Sequence, residues 1–203
     1  MKVLLINGSP HEKGCTCTAL SLIAGELKAQ GIETEILHVG GQPVGGCIGC
    51  GGCRSGNGCV FGGVVNEAIE KAKTADAFVF GSPVHYASAA GNMASFMDRL
   101  AYAGGKYLAY KPAAVCCSAR RAGTTSTLDQ LVKYPQFFHM PLVNGSYWAM
   151  VHGSNPEQVL QDAEGCAVMQ ELGRNMAWLL RCIEAGKAAG IDPVSYTHLR
   201  AHE

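Results

Sequence analysis

Short apolar runs alternate with helix-like segments along most of the chain, and this alternation restricts the fold more than any other feature. The first apolar run, 2–6, ends at a turn, and apolar residues at helical spacing follow from 18 to 30. Further strands are predicted at 32–39, 77–80, 113–117 and 141–150, and further helices at 64–74, 93–102, 124–133 and 156–188. Strands joined through helices need right-handed crossovers, which produce a parallel sheet. The sequence therefore predicts an α/β fold, a doubly wound five-stranded parallel sheet with helices on both faces.

The length and charge of the chain limit its organisation and its partners. No Pro/Ser-rich or charged linker divides the 203 residues, so 1–191 is predicted to form one domain. The 16 Lys and Arg residues balance 16 Asp and Glu residues, which disfavours nucleic acid and anionic membranes as partners. No apolar run reaches the roughly 20 residues of a membrane span, and the N-terminus has no signal-peptide pattern. We therefore expect a cytoplasmic protein that acts on small molecules.

The last segment, 194–203, differs from the rest of the chain. Its sequence, VSYTHLRAHE, has no periodic pattern and resembles the translation of a transposon adapter used in sequencing libraries. We expect this tail to be non-native, and His198 and His202 are therefore given no role as metal ligands.

A glycine-rich loop after the second strand holds four closely spaced cysteines, namely Cys47, Cys50, Cys53 and Cys59. The spacing C-x2-C-x2-C-x5-C suits an iron–sulfur cube, because a short chain can wrap one cluster and point backbone N–H groups at its sulfurs. Zinc sites usually hold two ligand pairs separated by a dozen or more residues. The loop is predicted to bind a [4Fe-4S] cluster, with zinc, metal-free thiols and a redox disulfide as the alternatives.

The loops after the first, third and fourth strands are the other unusual segments. In a doubly wound sheet such loops meet beyond the carboxyl ends of the strands, where ligands bind. The first loop, 8–18, offers hydroxyls and backbone amides to an anion at a helix N-terminus. It lacks the P-loop lysine signature and the G-x-G-x-x-G fingerprint, which favours a flavin mononucleotide phosphate over a nucleoside triphosphate or a dinucleotide. The alternative is an ordinary β–α turn with capping serine and threonine side chains.

Six other cysteines lie outside the cysteine loop, and two pairs of them lie near the predicted ligand site. Cys15 and Cys17 lie in the loop 8–18, where the N-terminus of the first predicted helix would lower the pKa of a thiol. Cys116 and Cys117 end the fourth strand, so one of them would face the core and the other the ligand site, and core packing is the favoured role.

Three motifs give the chain a family resemblance. They are Asn7-Gly8-Ser9-Pro10, then Gly81-Ser82-Pro83-Val84-His85-Tyr86 with the later Gly91-Asn92-Met93 and Phe96-Met97-Asp98-Arg99, and finally the cysteine loop. Together they resemble the NADPH-dependent FMN reductase family and, within it, the branch of iron–sulfur flavoproteins. The resemblance covers the chain up to about Ile191 and implies a flavodoxin-like fold.

The resemblance also implies which residues surround the cofactor. Around the FMN phosphate it implies Ser9, His11, Cys15, Thr16, Cys17 and Thr18. Along the isoalloxazine edge it implies Ser82, Pro83, Val84, His85 and Tyr86, and from the fourth-strand loop Ser118 and Arg120. Aromatic and imidazole faces can stack on a flavin, and backbone N–H groups can tune its electron-rich atoms. Relatives commonly have tyrosine in place of His85, and half-buried packing is the alternative role for Tyr86.

The activity implied by the resemblance is electron transfer through bound FMN. NAD(P)H would donate a hydride, and the acceptor would be a small molecule or a ferredoxin-like protein, with the [4Fe-4S] cluster passing single electrons. A homodimer or homotetramer is implied, and no residue is assigned as a catalytic acid or base. We predict an FMN-dependent oxidoreductase. The alternatives are a flavodoxin-like electron carrier without turnover of its own, which the neutral charge disfavours, and a flavin-free thiol or metal sensor.

Overall fold

Strands and helices alternate along the chain, as the sequence predicts. The computed structural model describes residues 1–194, so all of the predicted tail except Val194 lies outside the described residues. The strands are β1 Lys2–Asn7, β2 Glu33–His38, β3 Ala77–His85, β4 Ser88–Ala89, β5 Ala113–Ala119 and β6 Met150–His152. The helices are α1 Cys15–Ala29, α2 Val64–Thr74, α3 Gly91–Gly104, α4 Thr124–Phe137, α5 Pro156–Val159 and α6 Ala163–Ala188.

The sheet has the strand order β2-β1-β3-β5-β6, and every neighbouring pair in this series is parallel. The order reverses between β1 and β3, which is the flavodoxin-like arrangement with its switch point at that place. The predicted fold class is confirmed. The sheet has six strands rather than five, because the chain after β3 turns back and adds the antiparallel two-residue strand β4.

Two predicted elements have different bounds in the structure. The fifth strand was expected at 141–150, but the strand is β6, and the preceding segment contributes one isolated bridge from Leu142 to Ala113. The terminal helix was expected from 156, but it is divided into α5 and α6. Asp162 separates the two helices, because its carboxylate accepts a hydrogen bond from the Gly165 amide and caps α6.

Side chains of each strand alternate between two helical layers, which follows from the two-residue period of a strand. In β1, Val3 and Leu5 pack against α1 and α6. Leu4 and Ile6 face the other layer, formed by α2, α3 and α4. The helices therefore cover both faces of the sheet, and the core lies in two apolar layers.

Two adjacent cysteines of β5 also take opposite faces. Cys116 belongs to the layer of α1 and α6, Cys117 belongs to the opposite layer, and both are 0% exposed. The favoured role of core packing is therefore confirmed for both, and neither of them faces the ligand site. Burial raises the pKa of the Cys117 thiol to about 12 and also raises the pKa of Cys116.

One glycine lets the end of β2 pass close to the loop after β1. A Cβ added to Gly40 would lie 2.2 Å from the Ser9 carbonyl oxygen, so a side chain cannot be accommodated there. The His38 ring also contacts that carbonyl, with Nε2 at 2.7 Å from the oxygen.

Among the residues that the structure describes, no helix has the length and apolar character of a membrane span.

Candidate functional site

The first turn of α1 contacts the end of β5 at the carboxyl edge of the sheet. Thr16 Oγ1 lies 2.8 Å from Ser118 Oγ, and the two side chains form a hydrogen bond. Thr16 is 1% exposed and Ser118 is 4% exposed. This bond joins a residue predicted near the flavin phosphate to one predicted from the fourth-strand loop. The topology therefore brings these two parts of the predicted site together.

Asn7 shapes the loop after β1. Its Oδ1 accepts a hydrogen bond from the Ser9 amide at 3.1 Å, and its Nδ2 donates to the Glu12 carbonyl at 3.0 Å. Ser9 Oγ in turn accepts a hydrogen bond from the His11 amide at 3.1 Å. Asn7 is fully buried, whereas His11 is exposed. The sequence analysis gave Asn7 no role, although its place at the end of β1 in the Asn-Gly-Ser-Pro motif is a signal for one.

The N-terminus of α1 is open to a ligand. Its N-cap residue is Gly14, and no side chain accepts a hydrogen bond at this cap. The alternative prediction of a turn capped by serine and threonine is therefore wrong. Thr18 Oγ1 instead donates back to the Gly14 carbonyl at 3.3 Å. Backbone N–H groups of an uncapped first turn, together with the helix dipole, favour an anion at this position.

The pKa of the Cys15 thiol is shifted in the direction opposite to the predicted one. Burial raises the pKa of its thiol, and the charge of Glu157 acts in the same direction. The expectation of a lowered pKa at this helix N-terminus is therefore wrong for Cys15. Its Sγ donates to the Gly153 carbonyl at 3.6 Å, so the loop after β6 borders the loop after β1. The sequence analysis did not assign the β6 loop to the site. Cys17 is half-buried.

The segment predicted along the flavin edge forms a tight hairpin between β3 and β4. Val84 pairs with Ala89 and His85 pairs with Ser88, which leaves Tyr86 and Ala87 as the turn. These two residues have φ of 51° and 60°. Such turns normally hold Asn or Gly, because a Cβ is unfavourable at positive φ. The backbone is therefore strained at the tip of the predicted site, and strain of this kind is common at functional sites.

The side chain of Tyr86 is completely open to solvent, with a relative exposure of 104%. This exposure excludes the alternative of a half-buried packing role. His85 is exposed beside it, whereas Pro83 and Val84 are half-buried. Ser82 is fully buried, and its Oγ donates to the Pro83 carbonyl at 2.9 Å and accepts from the Ala90 amide at 3.0 Å.

Helix α4 holds the strained turn in place. Gln130 Oε1 accepts hydrogen bonds from Ser88 Oγ at 2.7 Å and from the Ala89 amide at 2.9 Å. Ser126 Oγ donates to the Ala87 carbonyl at 2.8 Å. Neither α4 residue is predictable from the local sequence, because both bond to a turn about 40 residues earlier in the chain.

The loop after β5 approaches the same turn. A Cβ added to Gly123 would lie 2.7 Å from Ala87 Cα, and Gly123 has a φ of 95°, so glycine is required there on two grounds. Arg120 is exposed at the beginning of this loop. The turn and the loop together form one wall of the carboxyl edge.

The four cysteines of the glycine-rich loop line a single cavity of about 280 Å³. Cys47 and Cys50 are exposed, whereas Cys53 and Cys59 are half-buried. The opposite wall of the cavity comes from α3, through Arg99, Tyr102 and Ala103. The backbone turns around the cavity at glycines with positive φ, namely Gly49, Gly51, Gly56 and Gly58.

The cysteine loop supplies four free thiols beside one cavity. All 10 cysteines are free. Within residues 1–194, no group of three or more His, Cys, Asp or Glu side chains is arranged to hold a metal ion. A tetrahedral zinc ion needs four ligands gathered around one atom, whereas an iron–sulfur cube binds each thiolate to a different iron. Four thiols spaced around one cavity supply the donor set of a cube.

A polar face of α3 supports the cysteine loop. Asn92 Nδ2 donates to the carbonyls of Gly40 at 3.2 Å and Gln42 at 3.0 Å, and its Oδ1 accepts from the Val44 amide at 3.2 Å. Arg99 lies two turns further along the helix and is 7% exposed. Neither residue was predicted as part of a site. Their spacing of seven residues, two turns on one side of the helix, is the signal that could have found them.

Comparison with known proteins identifies the family of this chain and solved structures with a related fold. The model of the NADPH-dependent FMN reductase family matches residues 1–155. An iron-sulfur flavoprotein of Methanocaldococcus jannaschii is 28% identical over 192 residues, which cover 91% of this chain and 100% of the relative. RosB, solved with bound 8-demethyl-8-formylriboflavin-5'-phosphate, matches with a TM-score of 0.72 and 14% identity over 100% of this chain and 91% of its own. A flavodoxin from the domain Archaea has a TM-score of 0.59 and 14% identity, over 89% of this chain and 99% of its own. These two structural matches show the fold alone.

Proposed function

Because the chain belongs to the NADPH-dependent FMN reductase family, we propose that it is an FMN-dependent oxidoreductase that takes a hydride from NAD(P)H. The observation that carries this proposal is the buried Thr16–Ser118 hydrogen bond of 2.8 Å, which joins the first turn of α1 to β5 at the carboxyl edge of the sheet. FMN, when bound, accepts a hydride and a proton and then returns electrons to an acceptor. The chain supplies binding and orientation, and none of its residues is assigned as an acid or base.

The phosphate of FMN would bind at the N-terminus of α1. The uncapped first turn of this helix provides backbone N–H donors, and Ser9, Thr16 and Thr18 would line the same site. His11, Cys15 and Cys17 complete the loop around the phosphate. No lysine is required there, because the helix dipole and several N–H donors favour the anion. The same donors orient the rest of the cofactor toward the hairpin.

The isoalloxazine ring would lie along the hairpin after β3. Backbone groups of Ser82, Pro83 and Val84 would face the ring edge, and His85 and Tyr86 offer flat faces for stacking. Ser118 and Arg120 would close the site from the loop after β5. The exposed Tyr86 ring supports this assignment, because the hydrogen bonds from α4 fix the turn that carries it.

Cys47, Cys50, Cys53 and Cys59 would hold a [4Fe-4S] cluster. Their shared cavity and the name of the M. jannaschii relative support this assignment. A cluster held by these thiols would supply one-electron transfer beside the two-electron chemistry of the flavin. Because Cys47 and Cys50 are exposed, a ferredoxin-like protein could approach the loop, and a small-molecule acceptor could instead meet the flavin directly.

The assembly and location also belong to the proposal. We place the domain at 1–191 in the cytoplasm, as a homodimer or homotetramer. Trp178 on α6 is 65% exposed and is available for such an interface, whereas Met176 is 0% exposed and belongs to the core. Large exposed aromatic side chains are enriched at subunit contacts.

The test is anaerobic reduction of the flavin-loaded protein by NADPH and by NADH, followed by flavin absorbance. We expect rapid reduction by at least one nicotinamide and reoxidation by an added acceptor. A Tyr86→Ala variant should reduce more slowly, because the stacking face is lost, whereas Tyr147→Ala removes an exposed tyrosine elsewhere and should match the wild type. The expected loss for Tyr86→Ala is roughly tenfold in the reduction rate.

A protein that is reduced reversibly by dithionite but by neither nicotinamide would be an electron carrier. That result would contradict the oxidoreductase proposal. Absence of flavin from the purified protein, together with failure to bind added FMN, would contradict flavin binding itself.

A further inference from the structure

Arg99 is a buried cation at the floor of the cysteine loop. It lies on α3 and is 7% exposed. Among the described residues, no carboxylate forms an ion pair with it, and the neighbouring Asp98 accepts a hydrogen bond from the Tyr134 hydroxyl. A buried guanidinium without an anionic partner is costly, because its charge has left water. The partners that Arg99 does have therefore call for an explanation.

Two of these partners lie at opposite ends of the cysteine loop. Nη1 donates to the Gly45 carbonyl at 3.4 Å, just before the first cysteine, and Nη2 donates to the Gly62 carbonyl at 3.0 Å, just after the last. The fixed fork of a guanidinium can hold both carbonyls at once. Arg99 therefore closes the base of the loop.

The third partner is one of the four proposed ligands. Arg99 Nε donates to Cys59 Sγ at 3.3 Å. This sulfur is the only one of the three partners that can carry a negative charge, since the other two are carbonyl oxygens. A thiolate bound to iron at this position would accept a charge-assisted hydrogen bond. The buried charge of Arg99 is thus matched when Cys59 serves as a ligand.

Cys59 is also held by its backbone. Asn66 Oδ1 accepts from the Cys59 amide at 2.8 Å, and Asn66 Nδ2 donates to the Cys59 carbonyl at 3.0 Å. Cys47 and Cys50, by contrast, are exposed at the outer part of the loop. One ligand is therefore fixed at both backbone and sulfur, while the outer two depend on the loop around them.

We propose that Arg99 is the positioning residue of the cysteine-loop site. It joins the two ends of the loop and holds a positive charge beside the Cys59 sulfur. The inference deepens the proposed function and rests on it for the cluster. Residues that orient metal ligands and neutralise their charge tune both metal retention and reduction potential. Removal of the Arg99 charge should lower the potential of the cluster, because reduction adds a negative charge that would no longer be compensated.

The test compares Arg99→Gln with Arg54→Gln in the full-length protein, reconstituted with iron and sulfide without oxygen. Arg54 is an exposed arginine that lines the same cavity, so its replacement removes an equal charge without opening the loop. Iron per chain, FMN per chain and the cluster potential are measured for each. We expect Arg99→Gln to retain iron roughly tenfold less well and to lower the potential of any remaining cluster, with FMN unchanged. Arg54→Gln should resemble the wild type.

Arg99→Lys separates charge from geometry. A lysine keeps the positive charge but lacks the fork that reaches Gly45, Gly62 and Cys59 together. Iron retention should therefore fall, while the potential of the retained cluster stays close to that of the wild type. FMN content identifies a variant that fails to fold, because the flavin edge is built from other elements.

A measurement on the iron-free protein tests the positioning role without the cluster. We expect hydrogen–deuterium exchange of the peptide that contains Cys59, read by mass spectrometry, to be several-fold faster in Arg99→Gln than in the wild type or Arg54→Gln, because the ends of the loop are no longer joined. Wild-type protein that binds FMN but no iron would overturn the cluster assignment, and the exchange rates would still decide whether Arg99 holds the loop. Equal iron, potential and exchange in Arg99→Gln and Arg54→Gln would overturn the inference.

Discussion

The carboxyl edge of the sheet and the cysteine loop are both proposed cofactor sites, yet they are held in different ways. At the carboxyl edge, Asn7 and Ser82 are 0% exposed, and the Thr16–Ser118 hydrogen bond joins α1 to β5. In the cysteine loop, two of the four proposed ligands are exposed, and the segment contains one short 3₁₀ turn at Gly52–Ser55. The first region is part of the core, whereas the second lies outside it.

This difference indicates when each site is formed. A site built at the ends of buried strands exists as soon as the sheet folds, so its ligand binds a prepared surface. A glycine-rich loop has few buried contacts, and metal binding can supply the free energy that orders it. Arg99 and Asn92 are the exceptions, because they tie the base of the loop to α3. We therefore expect changes at the edge to affect global stability and changes in the loop to affect iron.

The largest expected difference concerns two phenylalanines. Phe80 on β3 is 0% exposed, whereas Phe61 in the cysteine loop is 56% exposed and faces the Arg99 guanidinium. Phe80→Ala should lower the free energy of unfolding by about 3–5 kcal/mol, because it leaves a cavity in the core. Phe61→Ala should lower it by no more than about 1 kcal/mol. Urea denaturation of both variants checks this, and similar losses would contradict the division into two regions.

A double-mutant cycle at the carboxyl edge has a smaller expected effect. Thr16→Val leaves the buried Ser118 hydroxyl without its partner, which should cost about 1–3 kcal/mol of unfolding free energy. The double variant Thr16→Val/Ser118→Ala removes both polar groups and should be more stable than Thr16→Val alone. Thr125→Val, on an exposed position of α4, is the control. A double variant less stable than either single variant would show that the bond does not join α1 to β5 as described.

The buried thiols of β5 predict a pH dependence. The pKa of Cys117 is about 12 in the folded protein, compared with an ordinary value of 9.0. Above pH 9 the unfolded chain therefore loses this proton while the folded chain keeps it, so stability falls as pH rises toward 12. Each such thiol contributes a loss of about 1.4 kcal/mol per pH unit.

Denaturation between pH 8 and pH 10 measures this loss, with values on either side of the ordinary thiol pKa of 9.0. A Cys116→Ala/Cys117→Ala variant should lose less stability across this range than the wild type. The matched control, Cys47→Ala/Cys50→Ala, changes two exposed thiols of the cysteine loop and should keep the wild-type slope. Equal slopes for all three proteins would contradict burial as the cause.

Much of the fold and part of the site could be predicted from local patterns. The period of apolar residues identifies β1 and α1, and the rule for parallel sheets places Thr16 and Ser118 at the same edge. The cysteine spacing identifies the residues that line one cavity. These features depend on short segments or on topology, so they can be predicted from a single sequence.

The missed features depend on contacts between distant segments. The two-residue strand β4 is too short to have a period, and it exists because Gln130 on α4 binds it. The local sequence does not distinguish Arg99 from other helix residues, because its partner Cys59 lies 40 residues earlier in the chain. The thiol of Cys15 was assigned from its place at a helix N-terminus, but burial has the larger effect on its pKa. Burial of this kind follows only from the packed structure.

The most direct test of the central claim is quantitation of flavin and iron in the same oxygen-free preparation of the wild type and of Cys50→Ser. We predict FMN with about four irons per wild-type chain, and unchanged FMN with the iron lost in Cys50→Ser, because the flavin edge does not depend on the cysteine loop. Absence of flavin from the wild type, or loss of flavin together with iron in Cys50→Ser, would contradict the account of two separately held sites.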